Sequence, residues 1–108
     1  MSISLPDPIS TYLKAKNAHD IDAMLAPFDE DATVKDEGRE HHGRPAIRSW
    51  LEDVTRKYGV TLDVKEVTDA NGTTVVSGLV SGNFPGSPVV LDYTFTLSGP
   101  TIARLEIT

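Results

Sequence analysis

The sequence predicts a single α+β domain in which helices cover one face of a curved antiparallel sheet. Apolar residues recur at helical spacing as far as Tyr58, and from Val60 onward the period changes to two and β-branched residues accumulate. Asn71 and Gly72 form the dipeptide most typical of a two-residue hairpin turn, because both turn positions need positive φ. Helices that are followed by a run of strands are typical of the α+β class.

Two helices are predicted before residue 27. Asp7 followed by Pro8 indicates the start of the first, because a side-chain cap precedes a residue whose fixed φ suits the first turn. Asp20 is predicted to cap a second, short helix that Pro27 ends. The acidic segment DEDA is predicted to form a turn that leads into a short strand at residues 33–36. The inward face of the first helix, which extends to about residue 18, consists of Ile9, Tyr12, Leu13 and Lys16.

A third helix and four longer strands complete the predicted order. Gly38 marks a turn before an extended segment at residues 39–42, and Pro45 opens a helix that Gly59 ends. The strands are predicted near residues 61–69 and 73–84, in the alternating block that contains Tyr93, and after the Gly99–Pro100 turn. The inward stripe of the helix comprises Ile47, Trp50, Leu51, Val54 and Tyr58. Gly78 and Gly82 favour strong sheet curvature or close approach of a helix.

The composition excludes several classes of protein function. The 108 residues fit one domain, 1–108, and the lack of cysteine excludes disulfides, thiolate nucleophiles and sulfur-ligated zinc. Ten basic and sixteen acidic residues, with the basic ones scattered, give a formal charge of −6 and argue against a nucleic-acid partner. No apolar stretch approaches the roughly 20 residues that span a bilayer. The amino terminus does not resemble a secretion signal, so a cytoplasmic location is predicted.

Tyr12 and Asp36 are the residues that point to chemistry. A phenol can donate a hydrogen bond and a carboxylate can remove a proton, which together are the minimum equipment for enolising a ketone. Each residue also has a structural interpretation. Tyr12 could be a core aromatic residue, and Asp36 could be an ordinary residue of the turn that follows its strand. Asp20 is interpreted only as a helix cap.

The order of elements, the segment YLKAKNAHDIDAMLAPFDEDATVKDEG and the later HGRPAIRSWLEDV resemble the nuclear transport factor 2-like superfamily. Within it the chain is most similar to the SnoaL-like and ketosteroid isomerase branches. The motifs cover residues 8–58, and the remainder is similar through its strand pattern. The resemblance implies a cone-shaped, cystatin-like fold, in which a curved sheet and three N-terminal helices enclose a mostly apolar pocket.

The resemblance also implies roles for individual residues. In ketosteroid isomerases a tyrosine of the first helix donates to the substrate oxyanion and an aspartate after the DDATVE-like strand is the general base; Tyr12 and Asp36 occupy those positions. The isomerases use a protonated carboxylic acid as the second donor. At that point an alignment with one gap places Tyr93, with Asp92 as the alternative. The strand alternation puts Tyr93 on the pocket side, so Tyr93 is the third catalytic candidate.

Trp50, His42 and Phe28 are the candidate substrate-binding residues. Trp50 lies on the inward face of the third helix, where it is either core or pocket wall. His41 and His42 are adjacent, so only one of them can face the pocket from an extended segment. One is predicted to be a polar group of the pocket. Their spacing does not suit a shared metal ion, and no metal or organic cofactor is expected.

The leading hypothesis is a small-molecule pocket protein that acts as an isomerase-like or polyketide cyclase-like enzyme on an apolar, carbonyl-containing molecule. The alternative is a non-catalytic ligand-binding or dimerisation module, which the missing second acid favours. Recognition of a protein partner, as in the transport factor itself, is a third interpretation. The apolar outer sheet face at Val75, Leu79 and Val90 predicts a homodimer.

Overall fold

A computed structural model describes residues 5–70 and 72–108. Within them, three helices pack on a curved, unclosed six-stranded sheet with the strand order β2-β1-β6-β5-β4-β3. The elements are α1 (Asp7–Asn17), α2 (Ile21–Leu25), β1 (Phe28–Asp36), β2 (Arg39–His42), α3 (Arg44–Tyr58), β3 (Thr61–Ala70), β4 (Thr73–Ser81), β5 (Val89–Ser98) and β6 (Thr101–Ile107). The predicted α+β class is confirmed. No helix of the described residues has the length and hydropathy that crossing a bilayer requires.

The sheet is mixed, because β1 and β6 run parallel while the other neighbouring strands are antiparallel. Val34 lies beside Leu105, and Lys35 lies beside Glu106. The sequence predicted antiparallel pairing only, since no local pattern shows that the last strand returns beside the first. Parallel pairing brings the carboxyl ends of both strands to the same edge of the sheet. Asp36 therefore lies near Ile107.

The start of α1 differs from the prediction. Pro6 is the N-cap residue and no side chain caps the helix, so Asp7 is the first helical residue and not the cap. The amide of Ser10 donates to the carbonyl of Pro6 at 3.0 Å, which fixes that boundary. Asp7 still contributes a negative charge to the first turn, where the helix dipole favours it. The predicted cap of α2 is confirmed, because Asp20 Oδ1 accepts from the amide of Ala23 at 3.2 Å.

Strand boundaries differ in two further places. The acidic segment predicted as a turn lies inside β1, where the register against β6 shifts between Phe28 and Thr33. This irregularity accommodates the acidic residues in the strand, and the amide of Asp31 donates to Asp29 Oδ1 at 3.1 Å.

The strand predicted at residues 73–84 ends earlier, at Ser81. Gly72 has a φ of +80°, as the predicted hairpin turn requires, and Asn71 lies outside the described residues.

The core lies between the helices and the inner face of the central strands. Its centre is Tyr12, which is fully buried and contacts Phe28 and Phe95 edge to face, with ring centroids 5.6 and 5.8 Å apart. The inward residues of α3 that are buried are Ile47, Trp50 and Leu51. The helical stripes predicted from the sequence therefore face the sheet.

Two contacts hold helix ends close to the sheet. The side-chain amide of Asn17 donates to the carbonyl of Leu62 at 3.0 Å and accepts from its amide at 2.8 Å, which ties the end of α1 to β3. A Cβ atom at Gly82 would lie 2.7 Å from the carbonyl oxygen of Tyr58, so only glycine allows the end of α3 to approach here. The close helix approach predicted from this glycine is confirmed.

Candidate functional site

A cavity of about 410 Å³ opens between α1, α3 and the sheet. This volume is within the range of small-molecule sites in proteins. The polar groups that line it are Lys16, Asp36, Glu37, Tyr58 and Tyr93. The rest of the wall is apolar and consists of Trp50, Val54, Val60, Val80, Phe84, Pro85, Leu91 and Ile107. The cavity thus combines a few polar groups with an apolar surface, as ligand sites usually do.

Asp36 is the last residue of β1 and is held in place by Trp50. The turn that follows has positive φ at both Glu37 (54°) and Gly38 (76°), which is the requirement of a type I′ hairpin. Asp36 is half-buried, and Trp50 Nε1 donates to its Oδ2 at 3.1 Å. No protein donor to Oδ1 is found among the described residues. The carboxylate is therefore oriented through one oxygen and keeps the other available to a ligand.

Tyr93 contributes a phenol to the same cavity. It is 2% exposed and lies on the inner face of β5, while its neighbour Asp92 is exposed on the outer face. The structure therefore places Tyr93, and not Asp92, where a ligand can reach it. Burial, together with the negative charge of Asp36, raises the pKa of Tyr93 well above its usual value. Tyr93 keeps its proton at neutral pH and can act as a hydrogen-bond donor.

Tyr12 lies behind the cavity wall and does not line it. Its hydroxyl is buried and has no hydrogen-bond partner within the part of the chain that the structure describes. Burial is the main cause that raises the pKa of Tyr12, and the charge that Tyr93 carries when ionised and the charge of Asp36 add to it. Since leaving a buried hydroxyl unpaired costs about 1–3 kcal/mol, this group calls for an explanation.

Lys16 is the site residue that the sequence analysis did not assign a function. It follows Tyr12 by one helical turn, is 6% exposed and lines the cavity. Its Nζ lies 5.4 Å from the ring centroid of Tyr93 and 6.0 Å from that of Tyr12. Burial lowers the pKa of Lys16 to about 8, and the charge of Asp36 opposes that shift. The sequence signal that could have identified Lys16 was its position within the inward stripe of the first helix, next to the small residue Ala15.

One of the three predicted substrate-binding residues lines the cavity, and the other two do not. Trp50 lines the cavity, whereas Phe28 is 1% exposed and belongs to the core beneath Tyr12. His42 is exposed on β2, where its Nδ1 lies 2.9 Å from Thr33 Oγ1, away from the cavity. His41 does not line the cavity, but its ring stacks on that of Trp50 with centroids 5.9 Å apart. Of these residues, only Trp50 can contact a ligand in the cavity.

The described residues form no cluster of side chains that could bind a metal ion. Across residues 5–70 and 72–108, no three His, Asp or Glu side chains come together in a way that could hold an ion. The chemical groups of the cavity are therefore one amine, two carboxylates and two phenols.

The model of the SnoaL-like domain matches residues 9–98 of the sequence. The chain belongs to the SnoaL-like family. A candidate polyketide cyclase from Sinorhizobium meliloti is similar to this SnoaL-like protein, with 40% identity, coverage of 96% of this chain and 95% of that one, and a TM-score of 0.92. The resemblance inferred from the sequence motifs is thereby confirmed.

Two further solved structures share the SnoaL-like fold. A candidate polyketide cyclase from Xanthomonas campestris is 26% identical, with coverage of 94% of this chain and 86% of that one, and a TM-score of 0.79. A Catenulispora acidiphila protein with a ketosteroid isomerase-like fold, in complex with trimethylamine, is 17% identical, with coverage of 97% and 86% and a TM-score of 0.83. A search of curated proteins finds no match to the chain.

Proposed function

We propose that this SnoaL-like protein is a cofactor-independent enzyme, of isomerase or polyketide cyclase type, that moves a proton next to the carbonyl of a small apolar molecule. The observation that carries the proposal is the presence of the Asp36 carboxylate and the Tyr93 phenol in one apolar cavity. The similarity to a candidate polyketide cyclase at 40% identity supports the same reaction class.

In the proposed reaction, Asp36 acts as the base. Its free oxygen takes a proton from the carbon next to the carbonyl, and the C–H electron pair moves to the carbonyl oxygen to give an enolate. Trp50 Nε1 holds the other carboxylate oxygen throughout, at 3.1 Å. Return of the proton to a different carbon completes an isomerisation, and attack of the enolate carbon on a second carbonyl of the same molecule completes a cyclisation.

The phenols stabilise the enolate oxygen. Tyr93 lines the cavity and retains its proton, so it can donate to a developing oxyanion, which is the group that most needs stabilisation in such reactions. The Tyr12 hydroxyl is buried and unpaired among the described residues but lies behind the cavity wall, so it reaches an oxyanion only where a bound ligand displaces that wall. In this proposal a tyrosine serves in the role that a protonated acid has in the isomerases.

Tyr12→Phe separates the structural from the functional interpretation of the unpaired hydroxyl. If the hydroxyl is kept for an oxyanion, its removal should raise the free energy of unfolding by about 1 kcal/mol, because an unsatisfied buried group disappears. The variant should also turn over ketones more slowly. Urea unfolding and turnover assays measure the two effects, with Tyr58→Phe as the control. A less stable Tyr12→Phe protein with unchanged turnover would show that the hydroxyl is structural.

A thermal-shift screen of cyclic ketones, 1,3-diketones and aromatic polyketones tests the proposed function. The expected result is a set of carbonyl compounds that raise the melting temperature of the wild-type protein and that are then turned over. The alternative, a non-catalytic ligand-binding module, is favoured if the ligands bind and return unchanged. The placement of Asp36 on the cavity wall, where pure ligand binding does not need a base, supports the enzyme over that alternative.

We further infer that a second copy of the chain covers the outer sheet face. Val90 is 59% exposed and lies directly opposite Leu79 across β4 and β5, so the two side chains form one apolar patch. Sedimentation velocity should find a dimer, which Val90→Lys converts to a monomer, while Ser98→Lys at the far end of β5 leaves it intact. A monomeric wild-type protein would contradict this inference.

A further inference from the structure

Lys16 places a buried amine at the cavity. Its side chain enters from α1, and its Nζ lies closest to aromatic surface, 5.4 Å from the Tyr93 centroid. No ion pair or hydrogen bond to Nζ is found among the residues that the structure describes. An amine that only anchored the fold would be expected to pair with a carboxylate or to extend into solvent.

The groups that face this amine come from several elements. Asp36 lines the same cavity from β1, Glu37 from the following turn, Tyr58 from α3 and Tyr93 from β5, and the ring of Tyr12 lies 6.0 Å from Nζ on its own helix. Burial dominates over the opposing charge of Asp36, and the pKa of Lys16 falls to about 8. At neutral pH the fraction of free amine is then on the order of 100-fold higher than for an exposed lysine.

We propose that Lys16 is a nucleophilic amine that condenses with the carbonyl group of an apolar aldehyde or ketone bound in the cavity. A lysine that is desolvated in an apolar pocket is a recurring arrangement for such chemistry. The inference goes beyond the proposed function, because enolisation by Asp36 needs no covalent bond to the protein.

The condensation needs no reactant beyond a proton from solvent. The free amine of Lys16 attacks the carbonyl carbon, and a C–N bond forms as the carbonyl π bond breaks. The nitrogen then loses a proton and the oxygen takes one, which gives a carbinolamine. The C–O bond then breaks, the hydroxyl leaves as water with one added proton, and an iminium ion remains. Asp36 lies on the same cavity wall and can carry the protons in both steps. The overall change is amine plus carbonyl plus one proton from solvent to iminium and water, without oxidation or reduction.

Pentane-2,4-dione is a suitable probe, because its iminium loses a proton to give a neutral, conjugated enaminone that absorbs in the near ultraviolet. The wild-type protein should gain the mass of one diketone minus one water, and peptide mapping should place the adduct on Lys16. Lys16→Met, which replaces the amine by an apolar chain of similar length, should lose the adduct. Lys14→Met should keep it, since Lys14 is exposed on the same helix.

The pH dependence distinguishes the cavity amine from surface lysines. The rate of adduct formation should rise with pH and level off above about pH 8, where Lys16 is deprotonated. Asp36→Asn should move this profile to lower pH, because the negative charge of Asp36 raises the pKa of Lys16. An adduct on Lys16 in a protein that exchanges no ketone protons would support Lys16 as the nucleophile and refute Asp36 as the general base. The two proposals can therefore fail separately.

Two results would overturn the inference. Labelling of the wild-type protein no faster than that of Lys16→Met would show that Lys16 is not a nucleophile, and so would an adduct spread evenly over the exposed lysines. Circular dichroism and cooperative urea unfolding check that each variant folds. Lys16→Arg serves as a second variant that keeps the positive charge, and it should also lose the adduct because a guanidinium does not give a free amine at these pH values.

Discussion

Asp36→Asn is expected to slow proton exchange at the carbon next to a bound carbonyl by a factor of about 10²–10⁴, which is the usual contribution of a general base. The substitution removes the basicity but keeps the contact with α3, because the amide oxygen can still accept the hydrogen bond from Trp50 Nε1. The suitable probe is 2-tetralone, whose CH₂ group between the carbonyl and the ring exchanges readily. Loss of its proton signal in D₂O, followed by NMR, gives the rate.

Glu37→Gln is the matched control for that experiment. Glu37 is adjacent in sequence, lines the same cavity and is exposed, but no tryptophan holds it. The exchange rate of Glu37→Gln should therefore stay close to that of the wild type. If Glu37→Gln loses the activity while Asp36→Asn retains it, the base has been assigned to the wrong carboxylate.

Tyr93→Phe is expected to lower the same exchange rate by about 10²–10³, which is the usual effect of removing one oxyanion donor. The ring remains, so the core around β5 and the affinity for the ketone should change little. Tyr93 is the cavity phenol that is buried, at 2% exposed, and its raised pKa keeps the proton available for donation.

Tyr58→Phe is the control for Tyr93→Phe. Tyr58 also lines the cavity, but it is half-buried near the end of α3, where its ring packs edge to face on Phe84 at 5.9 Å. Its hydroxyl should be dispensable for exchange. Full activity of Tyr93→Phe, combined with loss in Tyr12→Phe, would transfer the donor role to Tyr12.

Local sequence signals predicted most of the fold. Gly59 ends α3 in the left-handed conformation, and the alternation around Tyr93 gives the correct inner face of β5, because each depends on the chain's own periodicity or backbone preference. The parallel pairing of β1 with β6 was not predictable in this way, since it depends on residues about 70 positions apart in sequence, such as Val34 and Leu105. The acidic start of β1 was assigned to a turn because composition does not show a register shift.

The candidate site was predictable in part. Tyr12, Asp36 and Tyr93 were identified through their positions in the family motifs, but only Asp36 and Tyr93 line the cavity. The hydrogen bond from Trp50 to Asp36 could not be foreseen, because it depends on how α3 crosses the end of β1. Lys16 was in the inward stripe, yet whether a long side chain stays buried or reaches solvent is decided by the neighbouring elements.

Proton exchange in the wild-type protein tests the central claim most directly. Ketones that raise its melting temperature are incubated in D₂O, and protium at the carbon next to the carbonyl is followed by NMR against a buffer blank. The expected result is exchange that is faster than in buffer and that saturates with ketone concentration, as a reaction inside the cavity requires. Exchange at the buffer rate for every ketone that binds would contradict the claim and leave a ligand-binding protein.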